Sequence, residues 1–123
     1  VRVKDSVGTY GEQVAVEHLE RAGFVVLERN WRCDIGEIDI VALDGATVVV
    51  CEVKTRSGLG YGSGLEAVTP QKLARLHRLA RRWRDEAGRA AAGLRAADLR
   101  VDVIAVHRRR HAEPQVVHVR GAQ

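Results

Sequence analysis

The pattern of apolar and polar positions divides the chain into helical and extended segments. Val14, Ala15, Leu19 and Ala22 recur at helical spacing, and Gly23 is placed to stop that helix. Thr9, with Glu12 three residues on, has the form of a capping box at its start; Ser6 is a rival cap one turn earlier. Phe24 to Leu27 is a short apolar run with strand character. Ile35 to Leu43 alternates, which sets Ile38, Ile40 and Ala42 on one face and Glu37, Asp39 and Val41 on the other. Asp44-Gly45 is a hairpin signal, and Thr47 to Lys54 is a strand dense in valine. Ser57 to Gly64 is rich in glycine and reads as a loop. Thr69-Pro70 opens a second helix whose buried face is Leu73, Leu76, Ala80, Trp83 and Ala87, with Gly88 at its end. Ala87 to Ala97 reads as a helix end and connection. Leu99 to Val106 and Gln115 to Val119 are two further strands, joined by a basic connector from His107 to Pro114. The order predicts a single α/β domain over residues 1–123: a mixed central sheet with a helix on each face.

Composition narrows the function. A chain of 123 residues can bury one core without disulfide staples. No apolar run approaches the roughly 20 residues that cross a bilayer, and no signal-peptide pattern opens the sequence. A cytoplasmic protein with no membrane partner is expected. Cys33 and Cys51 fit no zinc or redox spacing, and Cys51 sits in an apolar run as a small core residue. The net charge of +4 and pI near 9.6 favour an anionic partner. Arginine carries most of that charge, as GC-rich coding alone would produce. Lysine is scarce, at Lys4, Lys54 and Lys72 only, which draws attention to Lys54.

Strand parity gathers the candidate chemistry. A two- or four-residue turn centred on Asp44-Gly45 sets Asp39 opposite Val50 and Glu37 opposite Glu52, and Glu52 and Lys54 share a face because they are two apart. Glu37, Asp39, Glu52 and Lys54 then lie on one side of one hairpin. Asp39 and Glu52 become diagonal neighbours, about 7–8 Å apart at the backbone. Clustered carboxylates repel unless a cation sits between them, and hard oxygen ligands favour Mg²⁺ or Mn²⁺. The Val53 carbonyl is a further candidate ligand. Such an ion polarises a phosphoryl oxygen and activates water, and a neighbouring lysine steadies the developing negative charge. The competing reading is a solvated sheet face with an ordinary Glu–Lys pair. The apolar run Val48 to Val53 argues against it, because charges on a central strand are costly.

At this point the residues resemble a known family. Gly11-Glu12, Asn30-Trp31-Arg32, Gly36-Glu37-Ile38-Asp39 and Glu52-Val53-Lys54-Thr55-Arg56 are similar to the motifs of the YraN family, also called UPF0102. The likeness runs from about Gly8 to Val106. These are small bacterial proteins similar to the PD-(D/E)XK nucleases and especially to archaeal Holliday junction resolvases. The resemblance implies a restriction-endonuclease-like core in the order αβββαβ, plus a C-terminal strand here. It implies Asp39 and Glu52 as metal-binding acids, Lys54 as the motif lysine and Glu12 as an extra acidic residue on the first helix. The proline usual before the motif aspartate is Ile38 here.

Other residues are secondary candidates. Glu37 is a supporting partner or a turn-end charge. Thr55 and Arg56 follow the lysine and are placed for phosphate or for a strand-end ion pair. Gln71 and Lys72 begin the second helix, where backbone N–H groups favour anions. Arg75, Arg78 and Arg82 share a helix face that can follow a phosphate backbone or simply be solvated, and the same ambiguity holds for Arg108 to Arg110. His18 reads as a helix-surface residue, and His77, His107, His111 and His118 show no metal-ligand spacing. Trp31 and Trp83 read as packing residues. The expectation is Mg²⁺- or Mn²⁺-dependent hydrolysis of phosphodiester bonds in DNA, of branched or damaged form, with a homodimer left open. The alternatives are a nucleic-acid-binding module without turnover and a protein-interaction domain with a structural acidic cluster. Turnover separates the first from the second, and metal binding separates it from the third.

Overall fold

The computed structural model describes residues 6–57 and 68–123, with side chains from residue 9 onward in the first helix. The elements run α1 (Ser6–Arg21), β1 (Val25–Cys33), β2 (Gly36–Asp44), β3 (Thr47–Ser57), α2 (Pro70–Ala90), α3 (Ala92–Arg95), β4 (Leu99–Arg108) and β5 (Gln115–Val119). The five strands form one sheet in sequence order, with β3 and β4 parallel and every other pair antiparallel. Antiparallel neighbours need only tight turns, whereas the parallel β3–β4 pair needs a long crossover, which carries α2.

The valine-rich β3 is central and buried on both faces. Val49 and Cys51 join Ala15, Val16 and Leu19 of α1 in one core, with Ile40, Ala42, Ile104 and Val106. Val48 and Val50 join Leu76, Leu79, Ala80 and Trp83 of α2 in the other, with Val41 and Val101. The expected mixed sheet with a helix on each face is therefore the architecture found. Cys51 is a buried core residue, as its apolar setting implied. Trp83 is buried and Trp31 packs against the α2-side core.

Several boundaries differ from the sequence reading. Thr9 lies within α1 and does not cap it. β1 continues past Leu27 to Cys33 because pairing with β2 fixes it even where its side chains are exposed. β3 runs on to Ser57, and β4 takes in His107 and Arg108, because the parallel ladder between them extends to Ser57↔Arg108. Gly88 does not end α2; it is buried where the chain folds back, and a side chain there would meet Arg95. Apart from Ser57, the expected glycine-rich loop lies outside the described residues.

The hairpin turn also moves. Asp44 pairs with Thr47, so the turn centres on Gly45-Ala46. Gly45, at φ +61, is the only one of those two at positive φ, as a type II′ turn requires at its first central position. The centre shifts by one residue and the register by two, so parity survives.

On the α1 side, Asp102 is fully buried, beyond what the sequence suggested. Arg100 grips both of its oxygens at 2.8 and 3.0 Å, His118 Nε2 lies at 2.8 Å, and the Gly121 N–H donates to it at 3.0 Å. Burial alone would push this carboxyl up, but His118, Arg100 and Gly121 hold it down at about 2. His18 is not a free surface residue: its ring nitrogen lies 3.0 Å from His118 Nδ1, tying α1 to β5.

Candidate active site

The ladder between β2 and β3 ends at Ile40↔Cys51, although β3 continues. Beyond that pair the two strands part. The Val53 N–H, which would otherwise need a ladder partner, donates instead to Asp39 Oδ2 at 2.8 Å. The parting breaks the alternation of β2: Ile38 packs in the α2-side core with Val41, not with Ile40 and Ala42 as the pattern predicts. Asp39 therefore meets β3 through its carboxylate at the Val53 N–H, next in sequence to Glu52, rather than through a continued ladder.

Asp39 and Glu52 line one cleft of about 270 Å³ with Gly36, Glu37, Lys72, Arg75, Leu76 and Leu79. β2 supplies Asp39, β3 supplies Glu52, and the first turns of α2 supply Lys72 and Arg75. Thr69 caps that helix, its Oγ1 accepting the Lys72 N–H at 3.2 Å. Lys54 Nζ lies 3.7 Å from Glu52 Oε1. The neighbouring Lys54 ammonium, together with burial, lowers the proton affinity of Lys72. Asp39, Glu52, Lys54 and Lys72 are thus brought together from three elements.

The electrostatics are those of a crowded carboxylate pair. Burial, then the charge of Asp39, push Glu52 up to about 7 against the opposing pull of Lys54 and Lys72. A hydrogen bond between the two carboxyl groups adds to the rise, and such a bond needs one of them to hold a proton. The donor set fits a hard divalent cation. Asp39 keeps its second oxygen, Glu52 is under-compensated, and an extended residue directs its N–H and C=O to the same neighbour, so the Val53 carbonyl also points toward the β2 side. Among the described residues, no three His, Cys, Asp or Glu side chains converge into a metal-holding group. The set therefore amounts to two carboxylates and a carbonyl, as Mg²⁺ tolerates when waters complete its shell.

The other candidates lie as follows. Glu12 is 3% exposed on α1, which packs on the opposite sheet face from α2; its Oε1 lies 3.8 Å from Arg29 Nη2, and it does not line the cleft. Glu37 lines the cleft and is held at 3.0 Å by Arg32 Nε. Gln71 is exposed outside the lining, and Arg56 follows Lys54 by two along β3. Arg75 and Arg78 are exposed, whereas Arg82 is engaged by Asp34 at 2.6 Å and Glu86 at 3.5 Å. Arg108 stacks over Tyr10, 4.8 Å from the ring centre, and Arg109 Nε donates to the Glu113 carbonyl at 2.7 Å. Gly36, Leu76 and Leu79 are the lining residues that sequence reasoning did not assign to the site; the helical spacing of the two leucines marks only burial. Gly11 lets α1 press against the end of β3: a Cβ there would fall 1.8 Å from Thr55 Oγ1.

Fold and site together define a small mixed α/β domain with a carboxylate–lysine cleft where two central strands part. The chain belongs to the uncharacterised protein family UPF0102, whose model matches residues 11–106. It is 54% identical over 121 residues to a UPF0102 protein of Kineococcus radiotolerans, covering 98% of this chain and 96% of that one. It is 52% identical over 121 residues to a UPF0102 protein of Beutenbergia cavernae, covering 98% of each. A UPF0102 protein of Nocardioides is 51% identical over 119 residues, covering 97% of this chain and 92% of its own. The matched span begins at Gly11 and takes in every residue of the cleft.

Proposed function

We propose that this protein is a metal-dependent endonuclease that hydrolyses phosphodiester bonds in DNA. The observation that carries the reading is the Asp39–Glu52 pair, half-buried in one cleft and mutually repelling, with Lys54 Nζ 3.7 Å from Glu52. A structural acidic pair gains nothing from this proximity, since mutual repulsion raises its energy unless a cation or proton intervenes. A bound Mg²⁺ or Mn²⁺ supplies Lewis acidity to a phosphoryl oxygen and acidifies water. The protein's own groups do the rest. The Val53 N–H fixes the Asp39 carboxylate in one orientation. Glu52, raised by burial and by Asp39 when no cation is present, would be held ionised by the metal and, with Asp39, would hold it in the cleft. Lys54 is set to donate to the phosphate as negative charge builds there. Exposed Arg75 and Arg78 on α2 beside the cleft suit a duplex backbone. The resemblance of the Gly36–Asp39 and Glu52–Lys54 motifs to those of PD-(D/E)XK nucleases and Holliday junction resolvases supports this reading. Glu12 enters this mechanism only if α1 brings it toward the parted strands. The test is incubation with labelled single-stranded, duplex, flap and four-way DNA, with Mg²⁺, Mn²⁺ or chelator. Cleavage only with metal supports the reading, and intact DNA of every form under all conditions overturns it.

A further inference from the structure

Two histidines face each other across the joint between α1 and β5. His18 Nε2 lies 3.0 Å from His118 Nδ1, with the rings at 72°. The His118 side chain is 7% exposed, and its Nε2 lies 2.8 Å from the fully buried Asp102. Asp102, held at about 2, is a carboxylate at neutral pH and only accepts, so His118 Nε2 carries a proton. Hydrogen-bond valence fixes the rest. With both rings neutral, His118 Nδ1 is a bare acceptor and His18 donates to it through Nε2. With one proton added, His118 donates from both nitrogens and His18 Nε2 accepts, so the contact survives with its direction reversed. With both rings charged, two N–H groups point at each other across 3.0 Å, and the contact must part.

The surroundings work against that doubly charged state. Burial, then His118, Arg120 and Arg21 lower the proton affinity of His18. Glu17 lies 3.7 Å from Arg21, and Asp44 of β2 lies 3.8 Å from Arg120, so these cations are only partly offset. From β4, Asp102 is shared with Arg100 at 2.8 Å. β3 adds the Cys51 thiol, which burial keeps protonated, and the uncharged Phe24 ring packs 5.7 Å from His118. We propose that the His18–His118 contact is a proton-counting clasp: it holds α1 to β5 with up to one added proton and opens when both rings are charged. α1 also presses through Gly11 on Thr55, next to Lys54. The clasp thus puts an acid-sensitive joint on the helix that backs the end of β3. It requires neither metal nor turnover in the cleft.

A histidine whose proton affinity is lowered by folding binds its proton more readily in the unfolded chain. The contribution of the clasp is therefore complete above pH 6.5 and is lost as pH falls below it. That direction is opposite to the effect of Glu52, and the range lies above the one in which Asp102 titrates, so a local readout separates all three. The test is NMR of the full chain between pH 8 and pH 4.5, following histidine ring nitrogens and amide-exchange protection in β5 and the last turn of α1. At pH 8, His18 and His118 should both be neutral and carry their protons on Nε2. Protection in both segments should fall roughly tenfold or more as the second ring becomes charged, as for loss of a charged hydrogen bond. His18→Gln places an amide N–H where ring Nε2 stood but cannot take up a proton, so its protection should stay level across the same range. Wild-type protection that does not change from pH 8 to pH 4.5, or that falls equally in His18→Gln, overturns the clasp.

Discussion

Replacing Glu52 with Gln should stabilise the metal-free protein, and only at high pH. In the fold Glu52 is pushed up to about 7, against an ordinary 4.5, by burial and by Asp39. A raised acid takes up its proton more readily folded than unfolded. Its contribution is therefore most favourable below pH 4.5 and is lost as pH rises through 7. At about 1.4 kcal/mol per tenfold change in proton affinity, the ionised form costs the metal-free fold on the order of 3 kcal/mol at pH 8. Burial of the side chain, only 18% exposed, keeps solvent from screening most of this. Gln keeps the shape and carries no charge. Urea unfolding with chelator should show Glu52→Gln more stable than wild type by about 1–3 kcal/mol at pH 8 and nearly equal at pH 4.5. Added Mn²⁺ should raise wild-type stability at pH 8 and leave the variant unmoved. A stability difference that does not change with pH would refute the crowded-carboxylate argument.

Three further outcomes are expected. Asp102→Asn should cost on the order of 3 kcal/mol in urea unfolding, because Arg100 keeps its charge in a part-buried site and loses the opposing one. Since Asp102 is held at about 2 against an ordinary 3.8, that stabilisation is present above pH 3.8 and fades as pH falls toward 2, which acid unfolding of wild type and variant will reveal. Gly11→Ala should destabilise by roughly 1–3 kcal/mol through overlap with Thr55, and Thr55→Ala in the same chain should recover part of the loss in a double-mutant cycle. DNA binding, titrated across salt concentrations, should lose slope in Arg75→Ala/Arg78→Ala, by somewhat under one per phosphate contact, while Arg82→Ala changes it less because Asp34 already holds that guanidinium.

Much of the fold was legible because its signals are periodic. The α1 stripe, the β2 alternation and the valine run of β3 each state which face is buried, and the sheet with a helix on either side follows. Parity made Asp39, Glu52 and Lys54 meet even though the assumed turn was off by one residue. A one-residue slip of register would have reversed the face, whereas a two-residue slip cannot. What the pattern could not carry was length set by pairing: β1 beyond Leu27 and β3 beyond Lys54 are strands because a neighbour's backbone fixes them. The parting of β2 from β3 was equally hidden, and with it the move of Ile38 to the α2 side. Lys72 was visible as a helix-start cation, but its place in the cleft with Glu52 depends on how the crossover returns α2 to the sheet. The Asp102–Arg100–His118–His18 network joins residues as far as 100 positions apart, His18 and His118, and no local spacing announces it.

The central claim is that the cleft cuts phosphodiester bonds with Asp39, Glu52 and Lys54. Its most direct test is a single-turnover cleavage assay on the DNA form the wild type cuts best, run with Mg²⁺ or Mn²⁺. Wild type, Asp39→Asn, Glu52→Gln and Lys54→Met are compared after each is shown to be folded. The account predicts metal-dependent wild-type cleavage and a loss of at least a hundredfold in rate in each variant, with DNA binding retained. Cleavage that persists in Asp39→Asn and Glu52→Gln at the wild-type rate would contradict it.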